Sequence, residues 1–375
     1  MFRFIHSSDL HLGKPFGRHT EDVRGRLKQA RHGALARLAQ AARDAGAEYV
    51  LLAGDTFDQE TPAPAITRQA LNAMGQAADI TWVLMPGNHD SLAASELWQT
   101  IARDKPANVI TVLTPAPVLL GDAHLLPAPC TTRNPGRDLT VDMAQATPEG
   151  SIRIGLGHGG IHDFGTNAAE GPSGVIAPDR AAQAGLDYLA LGDWHGQMRV
   201  TPNTWYSGTP EPDSFKHPHS GTALSVAIAA AGATAQVTSV LTGEIVWQRV
   251  ALDLTPEDDC ASLINSALPQ VQARRDTLLH VEARGRLRVG QMQDLIRALM
   301  QVAPDFLDLT RDLEGVRLSH ASADLDAIDP SGGALRQAAQ ALAASAEDPD
   351  LSAADRRVAA TALSQLFSFV DEITQ

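Results

Sequence analysis

Cysteine is almost absent: the 375-residue chain holds two, Cys130 and Cys260. They lie far apart and outside any metal-ligand spacing, and a disulfide framework needs more of them and an oxidising compartment. Free thiols in a cytoplasmic protein are the expectation. Long apolar runs are missing as well, since none approaches the roughly 20 residues that a membrane span needs. The first residues (Phe2-Arg3-Phe4-Ile5) enter a strand pattern at once, without the basic region, apolar stretch and cleavage site of a signal peptide. An excess of positive charge is lacking too. The formal charge of −14 argues against a simple nucleic-acid coat protein, which would be basic. Residues 1–220 carry 18 Lys and Arg against 23 Asp and Glu, and the remainder carry 12 against 21. The acidic C-terminal part is therefore a poor main contact for a phosphate backbone. The length allows two or three domains around a well-buried core.

What the chain does have is a set of metal-ligand-type residues in five short blocks. They read Asp9-Leu10-His11, Gly54-Asp55-Thr56-Phe57-Asp58, Gly87-Asn88-His89-Asp90, Gly157-His158-Gly159 and Gly192-Asp193-Trp194-His195. Each follows a short apolar run, so each is expected at the exit of a buried strand. Alternation along an extended Asp9-Leu10-His11 would put both polar side chains on one side. Gly54, Gly87, Gly157 and Gly192 would let the backbone approach the ions closely. Hydrolysis of a phosphodiester needs a nucleophile at neutral pH and positive charge around the phosphoryl oxygens. Two divalent metals about 3.5–4 Å apart supply both. A carboxylate shared between them is the natural way to hold them so close, and Asp55 is the best candidate.

Strand patterns fall at 2–6, 49–53, 81–85, 109–113, 152–157 and 188–192, with helical patterns at 21–45, 65–77, 95–104 and 178–186. This alternation predicts a layered α/β core, with the blocks at the carboxyl ends of the strands, where open α/β sheets bind ligands. After Ser220 the texture changes. Segments 223–229, 235–241 and 244–250 read as strands completing a second sheet. A break at 253–259 precedes a helix, a strand at 278–284, a helix at 290–302 and a strand at 306–319. Residues 321–335 read as a linker, followed by helices at 333–345 and 353–373. The expected division is thus 1–252 for a catalytic domain, 253–320 for a small α+β domain and 321–375 for a linker with C-terminal helices.

At these blocks the chain resembles the calcineurin-like metallophosphoesterase superfamily, and within it the DNA double-strand-break repair nucleases of the SbcCD nuclease-subunit type. His6-Ser7-Ser8-Asp9-Leu10-His11-Leu12-Gly13 is similar to the opening of that subunit. Asp55 to Asp58 followed by Pro62 and Pro64 resembles its second block, and Tyr188 to Gly192 with Tyr206-Ser207-Gly208-Thr209-Pro210 its fifth block and the strand and turn that follow. The resemblance covers about residues 1–225. It implies a four-layer sandwich of two mixed β-sheets flanked by helices, with a small α+β domain capping the cleft and C-terminal helices. It also implies two divalent ions, Mn²⁺ first, with Mg²⁺ or Fe²⁺ as alternatives. One metal would take Asp9, His11, Asp55 and His195, and the other Asp55, Asn88, His158 and Asp193. His89 would assist the leaving oxygen, with the Asp58 carboxylate orienting its ring. DNA is the implied substrate, cleaved as an exonuclease, an endonuclease or both. An SbcC-like coiled-coil ATPase is the implied partner, with a homodimer left open and no membrane involved.

One departure stands out. The family's fifth block reads Gly-His-x-His, and here Asp193 replaces the first of those histidines. A carboxylate also suits a hard divalent ion. With Asp9, Asp55 and Asp193 all ligating, two divalent ions would keep a charge of +1 rather than +2 and act as weaker Lewis acids.

Other residues have competing readings. The run Arg18, Arg24, Arg26, Lys28, Arg31, Arg37 and Arg43 could track a nucleic-acid backbone, but a solvated helix face is favoured, with Arg18 and Arg24 as the exceptions. Segment 127–137, with Arg133 and Arg137, reads equally as a substrate-side loop and a surface connection. His162 and Asp163 read as loop residues, and His6, His124, His217 and His219 as structural. Ala359, Leu363, Leu366, Phe367, Val370 and Ile373 make one apolar stripe, facing either the chain's own helices or a partner. Two rival functions remain: a phosphoesterase for small molecules such as cyclic nucleotides, and a binding subunit with decayed catalysis.

Overall fold

The short apolar runs become strands buried on both faces, as parallel central strands must be. The computed structural model describes residues 1–161, 175–216, 220–319, 329 and 332–374. The chain divides into two units, Met1–Val246 and Trp247–Gln375.

In the first unit, strands β1 (Phe2–Ser7), β2 (Tyr49–Leu52), β3 (Thr81–Leu84) and β4 (Val109–Thr111) pair in parallel. Strands β5 (Val118–Leu120), β6 (Ala123–Ala128), β7 (Ile152–His158), β8 (Tyr188–Gly192), β9 (Met198–Thr201) and β10 (Thr204–Tyr206) form a second sheet in the order β5-β6-β7-β8-β10-β9. Its middle is parallel and its two edge strands are antiparallel. Strands β11 (Thr222–Ile228) and β12 (Gln236–Leu241) then return to the first sheet, giving the order β12-β11-β1-β2-β3-β4. Both sheets are mixed, because β11 runs antiparallel to β1.

Alternation along each strand assigns its side chains to layers. Phe4, Leu51 and Val83 of the first sheet pack with Leu125, Ile154 and Ala190 of the second. On the outer face of the first sheet, Ile5, Val50 and Trp82 meet Leu35 and Leu38 of α1 (Glu21–Ala45), Leu71 of α2 (Pro64–Gln76) and Trp98 of α3 (Ser95–Asp104). On the outer face of the second, Leu126, Leu189 and Leu191 meet Leu139 and Met143 of a 3₁₀ turn and Ala181 of the short α4 (Arg180–Gln183). The result is the four-layer sandwich. Helix α1 suits its place: Glu21 and Asp22 sit at the positive end of its dipole and Arg43 at the negative end, and Gly46 closes it in the left-handed region at φ 61°.

The two sheets are also joined by polar groups. His6 Nε2 donates to the Leu191 carbonyl (3.2 Å), so Nδ1 accepts from the Tyr188 hydroxyl (3.1 Å). Burial pushes the His6 pKa down to about 3, so the ring is neutral and its role is structural.

The second unit has the sheet order β13-β14-β15, from Val246–Leu254, Thr277–Arg288 and Asp308–Ser319. Strands β14 and β15 are parallel and joined through α7 (Val289–Val302), while α5 (Cys260–Ala267) and α6 (Val271–Arg274) link β13 to β14. Leu252, Ile264, Val281, Leu295 and Leu299 form its core. Helices α8 (Ala334–Glu347) and α9 (Ala353–Thr374) pack through Ala339 and Leu363, with Leu342 and Leu366 beside them.

Several expectations change here. Segments 223–229 and 235–241 extend the first sheet rather than complete a second one. The strand expected at 244–250 is β13, whose pairing partners lie in the second unit, so the division falls after Val246 instead of at 252. Strands β5, β6 and β9 were not anticipated. Of the stripe on the last helix, Ala359 and Leu363 are buried, and Leu366 packs toward α8. That part is covered by the chain itself, while the side chains of Phe367, Val370 and Ile373 lie outside the described residues. So do His162, Asp163, His217, His219 and most of the linker expected at 321–335.

A Tyr188→Phe variant should keep the fold but lose about 1–2 kcal/mol, because the buried His6 Nδ1 is left without its donor. Urea denaturation of the two proteins side by side measures this.

Candidate metal centre

All five blocks arrive at one place, at the carboxyl ends of strands from both sheets. The loops after β1 and β2 run together: Asp9 N donates to Gly54 O (3.1 Å), His11 N to Asp55 O (2.9 Å) and Leu12 N to Thr56 O (2.9 Å). The expected extended alternation is not what aligns Asp9 and His11. Both lie in the left-handed region, at φ 55° and 44°, as do Asp55 at 53° and, further out, Asp193 at 100°. Non-glycine residues there cost about 1–3 kcal/mol each, a form of strain that concentrates at functional sites. Leu10, between the two ligands, is fully buried in the core.

Ligand atoms of Asp9, His11 and His195 lie within 4.8 Å of one another, and so do those of Asp9, Asp55 and His158. The Asp55 carboxylate sits between the two groups, with Oδ2 3.4 Å from His158 Nε2 and 3.7 Å from His11 Nε2. Its Oδ1 accepts from the His89 backbone N–H at 2.8 Å. Burial alone would raise the Asp55 pKa, but His158, His11 and that backbone bond hold it well below the usual carboxylate range. His158 donates from Nδ1 to Ala53 O (2.7 Å), which turns Nε2 toward the site. Burial opposes its charge, yet Asp55 and Asp9 raise its pKa well above the ordinary value.

Asp193, the departure from the family pattern, faces this group. Its Oδ1 lies 3.8 Å from His158 Nε2 and accepts from Asn88 Nδ2 at 3.1 Å, while its N–H is shared between the two Asp9 oxygens at 3.2 Å. Burial, together with the charges of Asp9 and Asp55, raises its pKa. The pocket therefore holds more negative charge than its own imidazoles balance.

Two of the buried ligand atoms, His158 Nε2 and Asn88 Oδ1, have no hydrogen-bond partner. Orphaned buried polar atoms call for an explanation, and a bound cation would give one. Oxygens from Asp9, Asp55, Asn88 and Asp193 with nitrogens from His11, His158 and His195 form a hard donor set suited to divalent ions. The residues fit the two-metal expectation. Glycine permits this density. A Cβ on Gly87 would stand 2.2 Å from Asp55 Oδ1, and one on Gly192 would stand 2.1 Å from Ala53 O. Gly157 differs from expectation, since its Cβ would meet Leu191 and Thr140 in the core rather than any ligand.

His89 stands edge-on to His11, with ring centroids 4.8 Å apart. The Asp58 carboxylate, expected to orient it, lies instead 3.3 Å from His11 Nδ1. The Asp58 backbone carbonyl takes over, accepting from His89 Nδ1 at 2.9 Å. The same residue thus positions both rings, through different atoms.

Several residues escaped the sequence reading. Asp90 is fully buried and accepts from Gly87 N (2.7 Å) and Phe57 N (3.0 Å), tying the second and third blocks together. Burial and the nearby Asp55 push its pKa up to about 7. Asp213 faces His195 Nδ1, and Lys14 Nζ lies 2.5 Å from Asp213 Oδ2. Arg31, placed in the basic run, is wholly buried and donates to the carbonyls of Leu10 and Glu211. Asp90 was visible as part of its block, but no spacing marks the other two. Arg37, Arg26 and Arg43 pair with Glu211, Glu244 and Asp79. Arg18 and Arg133 are exposed and Arg24 half-buried, and among the described residues no hydrogen bond or ion pair joins them to the ligands.

A four-layer α/β sandwich thus carries clustered oxygen and nitrogen donors at its strand ends, a setting that suits divalent metal ions. The chain belongs to the calcineurin-like phosphoesterase family, whose model matches residues 2–197. It is 22% identical over 275 residues to the "uncharacterized metallophosphoesterase YhaO" of Bacillus subtilis (strain 168), covering 69% of this chain and 65% of that protein. Among solved structures, TT1561 of Thermus thermophilus matches at 11% identity with a TM-score of 0.42, over 64% of this chain and 99% of that one. Among the described residues no helix is long and apolar enough to cross a membrane.

A Gly87→Ala variant should lose most of its bound divalent metal, because the new methyl collides with Asp55. Metal content by mass spectrometry after dialysis against Mn²⁺ checks this, with a melting curve to show that the fold survives.

Proposed function

We propose that the chain is a two-metal phosphodiesterase that hydrolyses DNA, cutting as an exonuclease, an endonuclease or both, with Mn²⁺ as the favoured ion. The observation that carries the hydrolytic reading is the convergence of Asp9, His11, Asp55, Asn88, His158, Asp193 and His195 around the Asp55 carboxylate. When bound, two divalent ions supply Lewis acidity and a nucleophile at neutral pH. Asp9, His11, Asp55 and His195 would hold one, and Asp55, Asn88, His158 and Asp193 the other. His89 donates an Nδ1–H bond to the Asp58 carbonyl, which leaves Nε2 to act on the substrate; when that atom also carries a proton, it would pass it to the departing oxygen. Trp194, between two of the ligands, is 45% exposed and offers a face on which a nucleobase can stack. Arg18 and Arg133 supply exposed positive charge for phosphates. An SbcC-like ATPase is the proposed partner, on the resemblance of the first 225 residues.

A second reading, hydrolysis of small phosphate esters, gains from the basic run. Arg26, Arg31, Arg37 and Arg43 are spent on internal partners and so are not available to follow a long backbone. Labelled duplex DNA and bis-p-nitrophenyl phosphate, each tested with Mn²⁺, separate the two. Turnover of the small ester with no DNA cleavage at any salt concentration would overturn the nuclease reading. His89→Ala should lower turnover by about 10²–10⁴-fold, the usual worth of a positioned proton donor, while its metal content stays at the wild-type level. Retained activity would remove His89 from the mechanism. Trp194→Ala should weaken DNA binding about fivefold or more, from the loss of about 1–3 kcal/mol of stacking, as read by fluorescence anisotropy.

A further inference from the structure

The segment from Ser207 to Asp213 follows the last strand of the second sheet and contains none of the five blocks, yet two of its side chains, Thr209 and Asp213, meet candidate ligand residues directly and a third, Ser207, does so through Ser8. Ser207 Oγ is 3.0 Å from Ser8 Oγ, which itself donates to Asp9 Oδ2. Thr209 Oγ1 lies 2.9 Å from Asp9 O and 2.8 Å from Glu211 O. Both Asp213 carboxylate oxygens lie 3.3 Å from His195 Nδ1. On the far side of that ring, His195 Nε2 stands 3.1 Å from His11 Nε2.

We propose that Asp213 is a positioning residue for His195, holding the ring by an Nδ1–H bond so that Nε2 faces the Asp9–His11 metal position. This rests on the two-metal reading above and deepens it. A buried carboxylate needs strong partners to offset its lost hydration, and Asp213 is almost fully buried. Lys14 and His195 contact it directly, and the Arg31 guanidinium lies near enough to act on its charge. Lys14 sits three residues beyond the ligand His11 and, bonded to Asp213, limits where that carboxylate can move. A carboxylate behind a ligating histidine selects the tautomer with the free Nε2 and raises its basicity.

The arrangement is one-sided. Among the described residues the contacts of Asp213 reach His195 and Lys14 and none of Asn88, His158 or Asp193, which would hold the other ion with the shared Asp55. Asp213 should therefore control one of the two ions.

The test is Mn²⁺ binding by the full-length protein, measured by calorimetry, with stoichiometry from mass spectrometry after dialysis. Wild type should bind two ions. Asp213→Asn should bind one of them about 10–100-fold more weakly and the other unchanged. Asp213→Glu keeps the charge but moves the oxygens by one methylene, so it separates placement from charge alone and serves equally if the Asn variant does not fold. The proposal predicts that it too is weakened at one position only. Two wild-type affinities in the Glu variant, or equal weakening at both positions, would overturn it. Wild type that binds no ion would sink the two-metal reading itself, a different failure that the same titration reveals.

Discussion

Three carboxylates and three imidazoles share one pocket, and the Asp55 side chain is the member that the others surround. Its two oxygens reach the third block through His89 N–H, the fourth through His158 and the first through His11. Asp9, Asp55 and Asp193 gather negative charge in a buried pocket, and two polar atoms there, His158 Nε2 and Asn88 Oδ1, have no hydrogen-bond partner. A bound cation would answer both, by screening the charges and taking the unpartnered atoms as ligands. The glycines at 87 and 192 follow from this crowding, since any side chain would occupy space already taken by Asp55 or by the Ala53 carbonyl.

Holding the pocket open costs backbone strain. Asp9, His11, Asp55 and Asp193 all have positive φ, and the surrounding structure must over-determine them. It does so at several levels. Leu10 and Phe57 are fully buried on either side of the ligands. The backbone bonds between the first and second blocks lock the two loops together, and Asp90 clamps the third block to the second. His6 and Tyr188 pin the sheets to each other just upstream. Rigid strands therefore deliver flexible-looking loops to a fixed point.

The replacement of a family histidine by Asp193 gains a structural setting. Its carboxylate accepts from Asn88 and lies near His158, both of which carry unpartnered acceptor atoms. It adds a negative charge beside them.

Much of this was legible in the residues. The strands at 2–6, 152–157 and 188–192 and the helices at 21–45 and 95–104 were clear, because continuous apolar runs and 3.6-residue periodicity are local signals. The seven candidate ligand residues stood out because strand exit, glycine and polar residue recur together, and the structure brings them to one pocket. The Asp58 carboxylate was misassigned because spacing cannot say whether a side chain or a carbonyl meets His89. Strand 244–250 was placed in the wrong sheet because its alternation is the same whichever sheet it joins.

Local sequence thus determined most of the central elements and the chemical character of their ends: which long apolar runs are strands, and which residues have the chemistry to bind a hard cation. Only the tertiary structure decided that Arg31 is buried, that Asp213 stands behind His195, and that β11 and β12 return to the first sheet. Those outcomes depend on how distant segments meet when the sheets pack. Periodicity and spacing within a segment carry no record of them.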